Sequence, residues 1–230
     1  IDKCTKNRLL YSCLLTPQGR FFADFFISRH QNKYLIEIDQ LYFDSFFKKL
    51  SMYKLRSKVE ISLQANFLSF VIFQELDLIK DELTYIYNDP RHHKIGLRLY
   101  INKDSINLKK LNELKKINYE SYRELLMQHV IPNSTFDLFQ NKSLLLENNF
   151  QNINAIDWEK GCYVGQELTA RMKYRALLKK KIYTLKITSG NIKVSDKLFD
   201  DEVEIGEVIS KTDNYILGML IINLIENIIS

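Results

Sequence analysis

The sequence predicts an α+β fold, in which antiparallel sheets and helices precede a small C-terminal β-barrel. Strand-like and helix-like stretches follow one another in the first part of the chain in the order β-β-β-α-β-β. Four short apolar stretches separated by turn-forming residues follow residue 178, and this spacing is typical of a small barrel or sandwich. Hydrophobic residues make up 46% of the 230 positions, which is enough to bury a sizeable core. We therefore expect one region over residues 1–178 and a second, the barrel, over residues 179–230.

The first elements are organised around the turn Pro17-Gln18-Gly19, called here the N-terminal turn. Strands are predicted on both sides of it, and Gly19 can adopt the positive φ that a tight turn requires. A third strand is predicted at 33–39. A helix follows at 40–57, because its apolar residues recur at the helical spacing. Further strands are predicted at 58–63, 67–74, 82–87 and 95–101.

The second half begins with an amphipathic helix at 108–127, with a break near Asn118 and a stop before Pro132. Residues 133–156 are polar and irregular, which predicts a long loop. A helix is expected to begin near Gly165. The barrel strands are predicted at 181–188, 192–198, 203–210 and 215–222.

Charge and cysteine usage exclude several classes of protein. The net charge of +5 is too small to indicate nucleic-acid binding, although basic residues cluster between Arg171 and Lys181. The three cysteines are far apart and form no C-x-x-C pair, which argues against a disulfide framework and a self-contained metal site. His92-His93 is interpreted as part of a solvated loop, so no metal site is predicted. A reducing compartment fits best, and we expect a cytoplasmic protein without a membrane span.

One stretch, called here the cysteine motif, combines a thiol with two glycines: Lys160-Gly161-Cys162-Tyr163-Val164-Gly165-Gln166-Glu167. A helix that begins near Gly165 would bring unpaired N–H groups and a positive dipole end close to the thiol, and Lys160 and Arg171 add positive charge. These conditions favour a reactive cysteine. The alternative is that Cys162 is a small buried hydrophobic residue.

The cysteine motif closely resembles the signature of the YgfZ family, folate-binding proteins that maintain iron–sulfur enzymes. That family is related in fold to the aminomethyltransferase (T-protein) of the glycine cleavage system. Two further stretches carry the resemblance: residues 14–20 with Asp24 are similar to the family's LLTPQGK…D element, and residues 89–98 are similar to its DPR…LG-R element.

The resemblance implies a T-protein-like folate-binding region over residues 1–178 and tetrahydrofolate, or a derivative, as ligand. A folate site needs an apolar slot, polar groups for the pterin edge and cations for the carboxylate tail. The candidate contacts are Gln18, Asp24, Arg91, Arg98 and Tyr100. Their structural alternatives are a capped turn for Gln18 and Asp24 and a solvent-facing strand position for Arg98.

The resemblance also implies that Cys162 is a functional thiol that carries a covalent adduct, binds an iron–sulfur intermediate or undergoes redox exchange. Gln166 is a candidate for orienting it, and Glu167 for pairing with Arg171, with plain helix stabilisation as the alternative. The remaining motif positions carried over are Lys160, Gly161, Tyr163, Gly165, Arg171 and Arg175.

Two departures from the families concern function. T-proteins have paired aspartates after the N-terminal element, and the first of them, associated with catalysis, corresponds here to Ala23. A methyl group cannot accept a proton, so aminomethyl transfer is not expected, and the chain is not predicted to be an enzyme of that kind. Leu126 and Val130 replace an arginine and a glycine that the YgfZ family often shows at the end of a helix.

The leading prediction is a monomeric folate-binding accessory protein for assembly or repair of iron–sulfur clusters. Its partners would be client enzymes or cluster carriers, and it would support tRNA modification indirectly, without direct nucleic-acid contact. A tetrahydrofolate-dependent aminomethyl or one-carbon transferase is the first alternative, with Ala23 against it. A basic RNA-binding module built on residues 171–181 is the second.

Overall fold

A computed structural model describes residues 3–5, 7–79, 81–175 and 177–229. The chain divides into two compact units, one of Ile1–Tyr11 with Phe25–Lys116 and one of Ser12–Asp24 with Ile117–Ser230. The predicted boundary after residue 178 lies within the second unit. The division into regions 1–178 and 179–230 stays a prediction. The strands are β1 (Leu10–Leu15), β2 (Phe21–His30), β3 (Lys33–Ile38), β4 (Phe67–Ile72), β5 (Thr84–Asn88), β6 (Leu97–Asn102), β7 (Lys180–Lys186), β8 (Lys197–Asp200), β9 (Val203–Lys211) and β10 (Tyr215–Ile221). The helices are α1 (Gln40–Lys54), α2 (Leu108–Asn112), α3 (Tyr119–Gln128), α4 (Gln166–Tyr174) and α5 (Ile222–Ile229).

One predicted helix is divided into two shorter helices in the structure. The helix predicted at 108–127 is divided into α2 and α3, with Asn118 accepting a hydrogen bond from the N–H of Ser121 at 2.7 Å as the cap of α3. In the described part of the chain, no helix is both long enough and apolar enough to cross a membrane.

The N-terminal turn joins β1 and β2 as predicted. The N–H of Thr16 donates to the carbonyl of Arg20 at 2.9 Å, and the N–H of Gly19 donates to the carbonyl of Thr16 at 2.9 Å. Gly19 has φ +76°, the left-handed conformation that glycine adopts without a steric cost. β2 lies between β1 and β3, so the first three predicted strands are confirmed.

A second sheet of the first unit has the order β4-β6-β5, and both pairings are antiparallel. Its inner face buries a cluster of Ile72, Leu99, Ile101 and Leu111. The strand predicted at 58–63 is wrong, because this stretch has no regular structure. Its apolar residues Val59 and Leu63 are more than half exposed, so alternation in the sequence did not correspond to a buried face.

The C-terminal strands form a four-stranded antiparallel sheet with the order β7-β10-β9-β8. β7 and β8 are its two edges, so a closed barrel is not confirmed within the described residues. β8 begins later than predicted because Ser195, at φ +71°, turns the chain just before it. The apolar tail beyond Ile221 is a helix, α5, whose Ile225 packs on Ile205 and Leu220. No helix is predicted there from the sequence.

The predicted long loop between α3 and the cysteine motif has no helix or strand, yet it carries part of the core of its unit. Three of its asparagines, Asn141, Asn149 and Asn154, adopt positive φ, which asparagine tolerates better than most residues. The loop also pairs with the start of β2: the N–H of Phe21 donates to the carbonyl of Ser143 at 2.9 Å. Its buried apolar residues are Leu138, Leu145, Leu146, Phe150 and Ile153.

The end of α3 contains a strained residue at a position already noted in the sequence. The N–H groups of Val130 and Ile131 donate to the carbonyls of Met127 and Leu126 at 2.8 and 2.9 Å, which is the Schellman pattern. This pattern requires a left-handed residue, and Val130 supplies it with φ +52°. A β-branched residue is a genuine outlier there, because its side chain crowds the backbone. Leu126 is buried in the core, where the family often has an arginine.

We expect Val130→Gly to be more stable than Val130→Ala by about 1 kcal/mol. Both variants lose the packing of the valine against Met127, Ile182 and Leu217, so they differ mainly in the cost of the left-handed backbone. The free energy of unfolding in urea measures this difference. An alanine variant as stable as the glycine variant would contradict the strain at this position, since alanine ordinarily stabilises a helical residue relative to glycine.

Candidate functional site

The cysteine motif and the N-terminal turn meet backbone against backbone in the second unit. Gly165 precedes α4 and has φ +82°. A Cβ atom added to Gly165 would lie 2.5 Å from the carbonyl oxygen of Thr16 and 2.9 Å from the Cα of Gly19. A Cβ atom added to Gly19 would lie 2.7 Å from the carbonyl oxygen of Gly165. Two stretches that are far apart in the sequence therefore fit only because each has a glycine at the contact.

Cys162 is exposed on the loop that this contact holds. The alternative of a small buried hydrophobic residue does not apply. Gly161 beside it has open space on its Cβ side, with no atom within 4 Å. The thiol is therefore accessible to a large partner, as ligand exchange or covalent chemistry requires. That Cys162 is a functional thiol stays a prediction.

Side chains of the motif stabilise the loop around the thiol. The N–H of Tyr163 donates to Oε1 of Gln166 at 3.3 Å, and the N–H of Gln166 donates to the carbonyl of Tyr163 at 3.2 Å. This reciprocal pair closes the turn before α4 in the manner of a capping box. The ammonium group of Lys160 lies 4.2 Å from the ring centroid of Tyr163. The side chain of Gln166 therefore caps the turn beside Cys162, and that it orients the thiol stays a prediction.

Glu167 and Arg171 form the predicted i,i+4 pair on α4, with 3.4 Å between Oε1 and Nη1. Their side chains are 84% and 51% exposed, so the pair contributes a few tenths of a kcal/mol. Arg175 is the C-terminal cap residue of α4, and its side chain is exposed. The pair is therefore a surface contact of the helix.

The other two cysteines differ from Cys162 in their surroundings. Burial raises the pKa of the Cys13 thiol well above its usual value, the carboxylate of Asp24 raises it further, and Lys160 opposes both effects. Burial also raises the pKa of Cys4, whose sulfur donates to the carbonyl of Ile27 at 3.7 Å. Both thiols are therefore held in the protonated form, which is the weaker nucleophile and metal ligand. No motif in the sequence predicts that Cys13 lies near Asp24 and Lys160.

The position of the catalytic aspartate of T-proteins is occupied by a core residue. Ala23 is fully buried on β2, and Asp24, the next residue, is half-buried. A carboxylate at position 23 would be buried in the core, and the loss of its hydration would destabilise the folded state. Gln18 is exposed on the N-terminal turn.

The remaining predicted folate contacts belong to a buried charge cluster in the first unit. Arg91 donates to Asp89 through Nε and Nη2, at 3.0 and 2.9 Å, and Arg98 donates to the same carboxylate through Nε at 3.0 Å. All three residues are at least nine-tenths buried. Burial alone would raise the pKa of Asp89, but Arg91 and Arg98 outweigh it and hold this pKa below its usual value.

Glu37 on β3 completes this cluster and is not among the residues predicted from the sequence. Its carboxylate accepts from Nη1 of Arg98 at 2.6 and 2.8 Å and from the hydroxyl of Tyr100 at 2.6 Å. Ser69 also donates to it, at 2.7 Å. Burial, and then the charge of Glu37, raise the pKa of Tyr100, so its hydroxyl keeps its proton and donates it to Glu37. A single glutamate near the end of a strand belongs to no recognisable motif. Its pairing with Arg98 and Tyr100 is therefore visible only in the structure.

The arginines of this cluster are paired with its own carboxylates. Two guanidinium groups face two carboxylates, so the charges balance within the cluster. Both guanidinium groups are also stacked on Phe26, with their Cζ atoms 4.9 and 3.6 Å from the ring centroid for Arg91 and Arg98. Arg91 and Arg98 therefore hold the first unit together, and neither offers an unbalanced positive charge to an anionic ligand. Tyr100 is buried with them.

The structure divides the predicted residues between its two units. Arg91, Arg98 and Tyr100 lie in the first unit, and Gln18 and Asp24 lie in the second, with the cysteine motif. Among the described residues, no three side chains of histidine, cysteine, aspartate or glutamate gather as a metal site. As a folate contact, each of the five residues stays a prediction.

We expect Gly165→Ala to destabilise the protein by about 2–4 kcal/mol, because the new Cβ would collide with Thr16 and Gly19 at a positive φ. Gly161→Ala is the matched control, since it changes the same motif where the Cβ has open space. Its effect should stay within about 0.5 kcal/mol. Urea unfolding of the two variants measures the difference, and equal stabilities would contradict the close contact.

We expect Asp89 to make stability depend on pH in the acid range. Because its folded-state pKa is lowered, its contribution is complete above the usual value of 3.8 and is lost as the pH falls through the lowered folded-state pKa. Asp89→Asn should therefore cost about 3 kcal/mol near neutral pH and less in acid. Urea unfolding at a series of pH values measures this change. Asp77→Asn, at a fully exposed carboxylate, is the control that should follow the wild type.

Comparisons with known proteins support the fold and the class of function. No family model matches the chain. It is 25% identical over 238 residues to the iron–sulfur cluster assembly factor IBA57 homolog, mitochondrial, of Dictyostelium discoideum, a match that covers 88% of this chain and 58% of that protein. It is 29% identical to the mitochondrial factor IBA57 of Mus musculus and 30% identical to the homolog of Mycosarcoma maydis, which cover 78% and 77% of this chain and 54% and 46% of those proteins. The chain thus spans about half the length of the curated relatives it matches.

Among solved structures, the chain is similar to glycine cleavage system aminomethyltransferase T from Bartonella henselae. The TM-score is 0.70 at 12% identity, covering 96% of this chain and 70% of the other, so the likeness shows the fold alone. The predicted T-protein-like fold is confirmed. The resemblance to iron–sulfur maintenance proteins is confirmed at the level of assembly factors, while the YgfZ type is not among these names. The expected cytoplasmic location is wrong, because the relatives are named as mitochondrial proteins.

Proposed function

We propose that this chain assists the assembly or repair of iron–sulfur clusters in client proteins, with Cys162 as the residue that contacts the cluster. The observation that carries the proposal is an exposed thiol on a loop held in place by the contact of Gly165 with the N-terminal turn. The names of the relatives, iron–sulfur cluster assembly factors, support the same class of function.

The chemistry available to this site is ligand exchange on a cluster that arrives as cargo. A cluster normally has four protein ligands, and Cys162 is the one exposed cysteine among the described residues. A partner protein or a small thiol must therefore supply the others. In the exchange, the deprotonated sulfur of Cys162 replaces one ligand on iron, and the displaced ligand takes a proton. No oxidation state changes in this step.

The partners in this proposal are client enzymes and cluster carriers. The names of the relatives favour a mitochondrial location. A monomeric state and an indirect effect on tRNA modification stay predictions. Because the relatives are about twice as long, these statements concern the part of their length that this chain matches.

Binding of tetrahydrofolate is a separate proposal, and no step of cluster exchange requires it. The fold supports it, and Asp24 provides a carboxylate able to accept from the N–H groups of a pterin edge. The balanced charges of Arg91 and Arg98 count against it. One-carbon transfer is disfavoured further by Ala23, which has no group that can exchange a proton.

We expect Cys162→Ser to abolish the effect of the chain on cluster formation. In the test, apo-ferredoxin is incubated with ferrous iron, sulfide and glutathione, and the visible circular dichroism of the [2Fe–2S] product is followed with and without the chain. The wild type should accelerate the reaction. Cys13→Ser is the matched control, because that thiol is held protonated, and it should behave as the wild type. Equal acceleration by Cys162→Ser would refute the proposed role.

Calorimetric titration with tetrahydrofolate tests the second proposal. We expect binding at about micromolar affinity that is lost in Asp24→Ala and retained in Cys162→Ala, since the thiol has a separate role. Absence of heat with the wild type would remove folate from the function and leave the role of Cys162 intact.

A further inference from the structure

Trp158, four residues before Cys162, contacts Lys173 and Tyr174 in the exposed C-terminal part of α4, and this part of the surface is called here the basic face. It consists of Trp158, Arg171, Lys173, Tyr174 and Arg175. Lys173 joins its two halves: its ammonium group lies 3.8 Å from the ring centroid of Trp158 and 5.5 Å from that of Tyr174. The two rings meet edge to face, with centroids 6.2 Å apart. Of these residues, Trp158 lies four positions before Cys162, and those of α4 lie nine to thirteen positions after it, on the helix that follows the thiol loop.

The charge of the chain is concentrated here. Residues 157–181 include seven basic and three acidic side chains, while the whole chain has a net charge of only +5. Among the cations of α4, Arg171 pairs with Glu167, at 3.4 Å on an exposed part of the helix. Lys173 and Arg175 are also exposed. Such a local excess of positive charge attracts an acidic surface and accelerates its encounter with the protein.

The basic face also has the apolar and aromatic groups expected at the centre of an interface. Tyr174 is 70% exposed, although a tyrosine ring usually finds a partly apolar environment. Aromatic residues and arginine are enriched at protein interfaces, and tyrosine, tryptophan and arginine carry much of the binding energy there. An exposed tyrosine flanked by cations is thus suited to an acidic protein surface.

We propose that the basic face is the docking surface for an acidic iron–sulfur protein, which it holds so that the partner's cluster reaches Cys162. This inference rests on the proposed function, and it adds the chemistry of the partner and the residues that recognise it. Lys173 and Tyr174 are the central contacts. Arg171 and Arg175 flank them and direct the approach of the partner.

The geometry favours a protein over a single-stranded nucleic acid. Proteins bind unpaired bases by stacking them on open aromatic faces. Here the ammonium group of Lys173 lies over the ring of Trp158. The planes of Trp158 and Tyr174 are inclined by 74°, so the two rings cannot stack successive parallel bases.

Binding of a plant-type [2Fe–2S] ferredoxin, a small acidic iron–sulfur protein, tests the proposal. The dissociation constant and the association rate are measured at several salt concentrations for the wild type, Lys173→Glu and Tyr174→Ala. We expect salt-sensitive binding that is at least about tenfold weaker in both variants. Lys173→Arg keeps both the charge and the ring contact and should bind as the wild type does. Lys48→Glu makes the same change of charge at an exposed position of α1 and should alter binding by less than about twofold.

Three results would overturn the proposal: absence of salt-sensitive binding to ferredoxin, equal weakening by Lys48→Glu and Lys173→Glu, or preferential binding of a single-stranded RNA oligomer that is lost in Lys173→Glu. Circular dichroism of each variant controls for folding, since Lys173 also holds Trp158. The same binding measurement with Cys162→Ser separates the two proposals, because docking should survive there. If Cys162→Ser still accelerates cluster formation while Lys173→Glu fails to bind, the role of the thiol falls and the docking surface stands.

Discussion

The contact between Gly19 and Gly165 is the constraint on which the second unit depends. Two left-handed glycines lie so close that neither position has room for a side chain. The contact restrains the backbone before α4. This restraint extends to the loop on which Cys162 is exposed. Cys162 lies three residues before Gly165, so packing at this contact restrains one end of the loop that exposes the thiol.

The first unit is held differently, by a buried network of charges. Asp89 lies between two arginines, and Glu37 binds the second of them together with Tyr100. Each member is satisfied by the others, which is the condition under which buried charges are tolerated. The network joins β3, β6 and the loop that follows β5 through side-chain contacts. Residues that resemble ligand contacts in a sequence can therefore be structural residues in the folded chain.

Much of the fold could be predicted because its signals are local. The N-terminal turn has its proline and glycine, α1 has its helical spacing, and the break between α2 and α3 has its capping asparagine. The misses come from information that lies elsewhere in the chain. Residues 58–63 alternate in hydrophobicity like a strand but have no partner strand. The apolar sequence of α5 directly follows that of β10, so no boundary between the two can be read from hydrophobicity. In the site, the helix start near Gly165 could be predicted from its glycine, whereas the sequence left open whether Cys162 is exposed or buried. The roles of Glu37 and Cys13 depend on contacts across many residues, which no single stretch encodes.

The contact between the two glycines also bears on the order in which this protein is made. Residues 12–24 belong to the second unit, but residues 25–116, which belong to the first, leave the ribosome before the rest of the second unit exists. The N-terminal turn must therefore wait, at ordinary rates of synthesis, on the order of ten seconds for Gly165. During that interval the N-terminal turn lacks its contact with Gly165. Because residues 25–116 separate the two parts of the second unit in the sequence, that unit can be completed only after the chain has been synthesised through Gly165.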